Sequence, residues 1–303
     1  MDMKKEIKTI IKSQVNINIV NVKFLGGGSF GKVYKCTDDK HNVYAFKIFL
    51  IESMAVNEAN SLIFLNKNNV IKIPEVYFVK EKDDTIPFDC MLFEFIEGVN
   101  ALFNLKLLFT SKKQKRLFAD KVTDGLLAIH SIKSDKFGKI DGTSYNTWLE
   151  YYKPYAKNIL EKAIEKNKQG NFDTYILKVM LHAWDKFDTI FDKDVTEACL
   201  IHGDINVMNI MVNKNLLPDA FIDPLNSMFA DREYDLFQLQ NMTGNCFNLY
   251  NTYKKKYNVS KNCDVKCAFY SLWNEAMVYE NTGRYTGFIM KKAVNNMKKF
   301  LNI

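Results

Sequence analysis

The chain has 303 residues, of which 47% are hydrophobic and 25% charged, an ordinary soluble composition long enough for one large domain or two lobes around a cleft. The formal net charge of +7 is mild and its basic residues are spread widely apart from a short block at 254–256, which argues against a nucleic-acid partner. No apolar run of about 18 residues offers a membrane span, and the six scattered cysteines lack C-x-x-C or His at ligand spacing, so neither a zinc site nor a disulfide framework is expected.

The N-terminal stretch MDMKKEIKTIIKSQ lacks the apolar core and small-residue cleavage site of a secretory signal, and a cytoplasmic protein without a membrane partner is expected. Up to about residue 100 the chain reads as strands: NVKFLG, GKVYKCT, NVYAFKIFL, PEVYFVK and DCMLFEFIEG are rich in Val, Phe, Tyr and Ile and bounded by Gly, Asn and Asp. One helix interrupts them near 53–67, where Ala55, Ala59, Leu62 and Ile63 recur at helical spacing.

The segment LGGGSFGKVYK fits G-x-G-x-x-G-x-V through Gly26, Gly28, Gly31 and Val33. A dinucleotide fold would open a helix here, and a Walker A loop would close on G-K-[ST]; the sequence does neither. Strand, glycine turn, strand is the setting of a kinase-type loop over ATP phosphates, where a missing Cβ lets backbone N–H groups approach. A purely structural glycine hairpin is the alternative. In the next strand Lys47 stands among apolar residues, a costly position without a partner. It is similar to the kinase lysine that holds the α- and β-phosphates and pairs with a helix Glu; Glu58 is the candidate, its alternative an exposed helix-face acid.

Beyond residue 100 the texture turns helical. Phe118, Val122, Leu126 and Ile129 line one face, and further helices are expected near 146–168, 173–192, 235–257 and 265–301. A strand-rich first third followed by helices suggests two lobes. The segment LIHGDINVMNIMV contains H-x-D-x-x-x-x-N as His202, Asp204 and Asn209, and AFID ends an apolar strand on Asp223. Phosphoryl transfer needs a carboxylate near the acceptor hydroxyl and oxygen ligands for Mg²⁺. Asp204 would serve the hydroxyl, Asn209 and Asp223 would hold the metal, and His202 would order the loop. His130 reads as a core or capping histidine, and Trp148 and Trp273 as packing residues.

These motifs, in this order, resemble the aminoglycoside phosphotransferase and fructosamine kinase-like superfamily, the small-molecule relatives of protein kinases, over nearly the whole chain. HGDINVMNIMV and FIDPLNSMFADREYDL carry most of the likeness, including Gly203 where protein kinases place Arg. IDP and DRE resemble fructosamine kinases, whereas NIMV and the gap from Asp223 to Asp231 look like antibiotic kinases.

The resemblance implies an α+β, two-lobed protein-kinase-like fold: an antiparallel-sheet lobe over 1–98 with one main helix, and a mostly helical lobe over 99–303. It implies ATP as donor, Mg²⁺, and a small-molecule hydroxyl acceptor, in a monomer or weak homodimer. Gly26, Gly28, Ser29, Phe30, Gly31, Val33, Lys47 and Glu58 would surround the nucleotide, with Phe93, Glu94 and Ile96 as the hinge. Asp231 and Asp235 would brace the catalytic loop or start a helix. KFGKID followed by YNTWLEYY would contribute to the acceptor side. A protein kinase is the first alternative, although D-F-G, A-P-E and an activation-like segment are missing; a catalytically silent nucleotide-binding module is the second. The lysine-rich C-terminal region argues against a polycationic acceptor and favours neutral or anionic sugars and glycated amines.

Overall fold

A computed structural model describes residues 2–28, 30–68 and 71–303. The chain opens with a helix that the strand-dominated reading of this region leaves out, α1 (Met3–Val15). Its signals are local: Asp2 caps it by accepting from the Lys4 backbone N–H, Ile7, Ile10 and Ile11 fall on one buried face, and Asn16 ends it at φ 56°.

Strands β1 (Ile19–Gly27), β2 (Gly31–Asp38) and β3 (Val43–Phe49) follow, then α2 (Met54–Asn68), β4 (Val76–Lys80) and β5 (Cys90–Glu94). The five strands form one antiparallel sheet in the order β1-β2-β3-β5-β4. Because side chains alternate across a strand, β3 divides its residues between two faces. Phe46 and Ile48 pack with Ile7 and Ile11 of α1, while Phe49 joins Ala55, Ala59 and Leu62 of α2 in the main core. Lys47 shares the α2 side, which brings its ammonium to the helix that carries Glu58.

The remainder is mostly helical, with short strands threaded through it. In order come β6 (Val99–Asn100), α3 (Leu105–Leu108), α4 (Lys112–His130), β7 (Lys133–Ser134), β8 (Phe137–Lys139), β9 (Ser144–Tyr145), α5 (Trp148–Lys168), α6 (Thr174–Asp185) and α7 (Phe187–Ile190). Then follow β10 (Ala198–Ile201), β11 (Ile210–Val212), β12 (Pro218–Phe221), β13 (Met228–Ala230), α8 (Glu233–Leu236), α9 (Gly244–Phe247), α10 (Leu249–Lys256), α11 (Cys263–Thr282) and α12 (Gly287–Leu301). The strands make a five-stranded sheet, β7-β10-β13-β8-β9, and a three-stranded one, β12-β11-β6.

Three expected helices are subdivided. The stretch 235–257 breaks into short helices because Met242 and Asn248 take left-handed backbone at φ 49° and 57°. Gly283, at φ 66°, ends α11 and separates it from α12, and 173–192 divides between α6 and α7. Among the described residues no helix is long and apolar enough to cross a membrane.

Candidate active site

The glycine turn joins β1 to β2, closed by the Gly28 N–H donating to the Gly31 carbonyl at 2.9 Å. Two of its glycines differ in what the fold asks of them. A Cβ on Gly31 would lie 2.8 Å from the Ile48 carbonyl oxygen, so close strand approach requires glycine there; a Cβ on Gly28 would meet nothing within 4 Å. Ser29, between them, lies outside the described residues.

Below this turn, Lys47 Nζ donates at 2.6 Å both to Glu58 Oε2 and to Asp223 Oδ1, the latter 176 residues away in sequence. Burial alone would lower the ammonium, but the charges of Asp223 and Glu58 outweigh it and its affinity for the proton rises. The two carboxylates then compete for one cation. Asp223 is held below its ordinary range against the effect of burial, chiefly by Lys47, whereas burial pushes Glu58 up to about 8, with the charge of Asp223 adding to it. Asp223 also has left-handed backbone at φ 61°, a conformation that non-glycine residues hold only where surrounding structure enforces it.

The segment after β10 is built around Asp235, a fully buried carboxylate of α8. It accepts the His202 N–H and the Gly203 N–H, each at 2.8 Å, and meets His130 Nε2 at 3.1 Å. His130 is further tied to the Tyr253 hydroxyl at 2.6 Å. Gly203 stands at φ 82°, and a Cβ there would fall 2.4 Å from the Asn226 carbonyl group, so this position admits only glycine. His202 is fully buried; burial pushes its imidazole down to about 4, so the ring is neutral, and its Nδ1 accepts the Asp204 N–H at 3.3 Å.

Asp204 itself is gripped by two amides. Asn206 Nδ2 reaches one carboxylate oxygen and Asn209 Nδ2 the other, both at 2.9 Å. Asn206 was not among the expected site residues; its signal was its position inside the loop, two residues after Asp204. Burial, then the charge of Asp223, pushes Asp204 up to about 8 against these amides. Asp231 is buried and binds Lys266 at 2.5 Å and the Tyr270 hydroxyl at 3.1 Å, while accepting the Glu233 N–H at the start of α8. It thus anchors the helix bearing Asp235 from outside the cleft.

Gly28, Phe30, Gly31, Val33, Lys47, Asp204, Asn209 and Asp223 line one cavity of about 430 Å³. Its far wall, which the sequence did not disclose, comes from α11 and the turn after it, including Glu275, Arg284 and Tyr285. Glu58 stands behind Lys47. Phe93, Glu94 and Ile96 do not line this cavity: the Glu94 N–H donates to the Glu75 carbonyl, and Ile96 is buried against Met211 and Ala220. Gly26, paired with Val33 in the hairpin, also lies outside the lining. Trp148 and Trp273 are both about 1% exposed, with their indole N–H groups bound to the Tyr270 hydroxyl and the Ala156 carbonyl.

The constellation joins a bridged ammonium, three carboxylates and an amide under a glycine turn, suited to holding a phosphorylated anion with its cations. In structure the chain is similar to a protein designated a fructosamine-3-kinase from Thermobifida fusca YX-ER1, at 15% identity and TM-score 0.70 over 98% of this chain and 99% of that one. It is similar also to a thermostable mutant of aminoglycoside phosphotransferase APH(4)-Ia solved with AMP-PNP and hygromycin B (13% identity, TM-score 0.70, 98% of each chain). A third likeness is spectinomycin phosphotransferase APH(9)-Ia with ADP and spectinomycin (15%, 0.64, 98% of this chain and 94% of that one). No curated protein sequence matches the chain. The sequence model described as APH, phosphotransferase enzyme family, covers residues 21–259, and by a match of that extent the chain belongs to the phosphotransferase enzyme family.

Proposed function

We propose that the protein transfers the γ-phosphoryl group of ATP to a hydroxyl of a small molecule, in a cleft between a sheet lobe over 1–98 and a helical lobe over 99–303. One observation carries the reading: Lys47 bridges Glu58 and Asp223 in the cavity that also holds Asp204 and Asn209. The solved neighbours with AMP-PNP or ADP support a nucleotide donor.

Lys47 neutralises the α- and β-phosphates, and Glu58 keeps its ammonium aimed into the cleft. The glycine turn covers the phosphates with backbone N–H groups, the open side of Gly28 leaving room for close approach. In this reading the adenine extends past the cavity lining toward the apolar cluster of Ile96, Met211 and Ala220, with the Glu94 carbonyl and the Ile96 backbone as partners, since the Glu94 N–H is held by Glu75.

The residues also suit Mg²⁺. Asp223 is partly open, with a side-chain exposure of 39%, and Asn209 uses its amide nitrogen on Asp204, leaving an amide oxygen as a hard donor. One or two protein oxygens completed by phosphate oxygens is an ordinary magnesium set. When bound, the ion neutralises charge on the transferring group. The acceptor oxygen then bonds to the γ-phosphorus as the bond to the ADP oxygen breaks, and the acceptor's proton passes to Asp204, which Asn206 and Asn209 hold in place.

The test is ATP consumption and product mass across sugars, fructosamines, choline, nucleosides and aminoglycosides, with Asp204→Asn as control. The variant should lower kcat by about 10²–10⁴ while its fold is retained. Transfer at the parent rate by a folded variant removes Asp204 from this role.

A further inference from the structure

Beside the main cavity lies a second, of about 260 Å³, sharing Phe30, Leu225, Asn226 and Met277 with it. Its wall is a tyrosine cluster: Tyr151, Tyr152 and Tyr155 of α5 and Tyr234 of α8, backed by Trp148. Tyr151 and Tyr155 stack at 6.0 Å and 13°, and Trp148 and Tyr152 at 5.2 Å and 12°. The Trp148 indole has a partner, but the four phenol hydroxyls find none among the described residues. The Tyr152 hydroxyl is fully enclosed. Tyr234 is only 7% exposed and lines the chamber. A buried hydroxyl without a partner costs about 1–3 kcal/mol, a cost that falls here on Tyr152; the other three hydroxyls are left to whatever fills the chamber.

We infer that this chamber receives the acceptor, and that the acceptor is a polyhydroxylated, sugar-like compound without net positive charge. The inference rests on the phosphotransferase reading above and narrows its substrate. Phenol hydroxyls both donate and accept, as alcohol groups do, and half-buried aromatic faces suit the apolar face of a ring. An ammonium group finds no free carboxylate here: Glu280, the one acid of the lining, is shared between Lys162 at 3.5 Å and Lys166 at 3.4 Å. Lys139, which has no ion-pair partner among the described residues, instead tolerates an acidic substituent. The chamber also lies within electrostatic reach of the proposed catalytic carboxylate: burial first, then neighbouring tyrosines and the charges of Asp235 and Asp204, hold the Tyr234 phenol well above its ordinary range.

The experiment compares the wild type with a Tyr155→Phe, Tyr234→Phe double variant. Because neither hydroxyl has a protein partner, the double variant should keep its melting temperature. Ribose, glucose, sorbitol and gluconate are tested against glucosamine and hygromycin B, by thermal shift at millimolar ligand and separately by ATP-dependent product mass. At least one uncharged or acidic polyol should stabilise the wild type more than the amines do. For that compound the acceptor KM should rise about tenfold in the double variant, two neutral hydrogen bonds being lost, with the ATP KM unmoved. A wild type stabilised by none of the uncharged or acidic polyols, a preference for the amines, or an equal response in the double variant overturns the chamber. The expected binding pattern without phosphate transfer counts against the phosphotransferase reading and leaves the chamber standing.

Discussion

Glu275→Gln should stabilise the protein in alkaline solution and do little in acid. Glu275 lies on α11, 7% exposed, and its one hydrogen-bond contact among the described residues is the Asn274 amide at a stretched 3.5 Å. Burial pushes its carboxyl from the ordinary 4.5 up to about 7, opposed only by that amide. Below pH 4.5 the group is protonated in both folded and unfolded chains. Between pH 4.5 and about 7 the unfolded chain releases its proton while the folded chain keeps it, so native stability falls across that interval and levels off above it. The interval between 4.5 and about 7, at about 1.36 kcal/mol per pH unit, amounts to about 3 kcal/mol once the group is fully ionised. An isosteric amide does not titrate. The variant should therefore melt within about 2 °C of the parent near pH 5 and about 6 °C above it near pH 8.5, taking about 2 °C per kcal/mol for a chain of this size. Calorimetric melting across that range, without nucleotide, measures the difference. Parallel pH profiles for the two proteins would refute a buried, unpaired carboxylate at this position.

Lys47→Met leaves Glu58 and Asp223 facing each other without their shared cation, a loss of about 3–5 kcal/mol in chemical denaturation, and it should abolish ATP-dependent turnover. Gly28→Ala meets no steric resistance from the fold, so its melting temperature should be unchanged while the ATP KM rises; an unchanged KM would mean that the glycine serves the hairpin alone. Gly203→Ala should lower kcat severely and stability by about 1–3 kcal/mol, because φ 82° and the Asn226 backbone at 2.4 Å both oppose a methyl group.

The parts of the site visible in the sequence are those whose chemistry is set within a short window. Asp204 and Asn209 belong to one loop, so their spacing is already a geometry. Lys47 was legible for a different reason: an ammonium in an apolar strand demands a partner, and the following helix offered Glu58. What the sequence withheld depends on contacts between distant segments. The acceptor-side reading of YNTWLEYY took in Tyr151 and Tyr152, but Tyr155 and the wall that these residues form with Tyr234 emerge only where α8 meets α5. Likewise Glu275 and Arg284 belong to the cleft only because α11 turns back over it. The short strands of the helical half, such as β7 and β9, hold two residues each, too few for an alternation to register. The helix α1 is a different kind of omission, since its cap and isoleucine spacing were present in the sequence.

The site is held in place by the protein's own contacts, and the cost of that arrangement is visible in its backbone. Gly203 and Asp223 both occupy left-handed conformations, and each bears on a carboxylate that the neighbouring structure prevents from moving away. Asp235 fixes the first by taking the N–H groups of residues 202 and 203. The second is fixed by Lys47 and by its own carbonyl, which accepts the Leu225 N–H at 2.9 Å. Burial and then the charge of Asp223 raise Asp204, whereas Lys47 lowers Asp223 against burial, so the two carboxylates part although they stand within mutual influence. A fold selected for stability alone would separate or neutralise them. Their retention under a turn whose Gly28 meets no steric demand from the fold fits the proposed phosphoryl transfer, in which cationic and phosphoryl groups between them would complete the balance of charge.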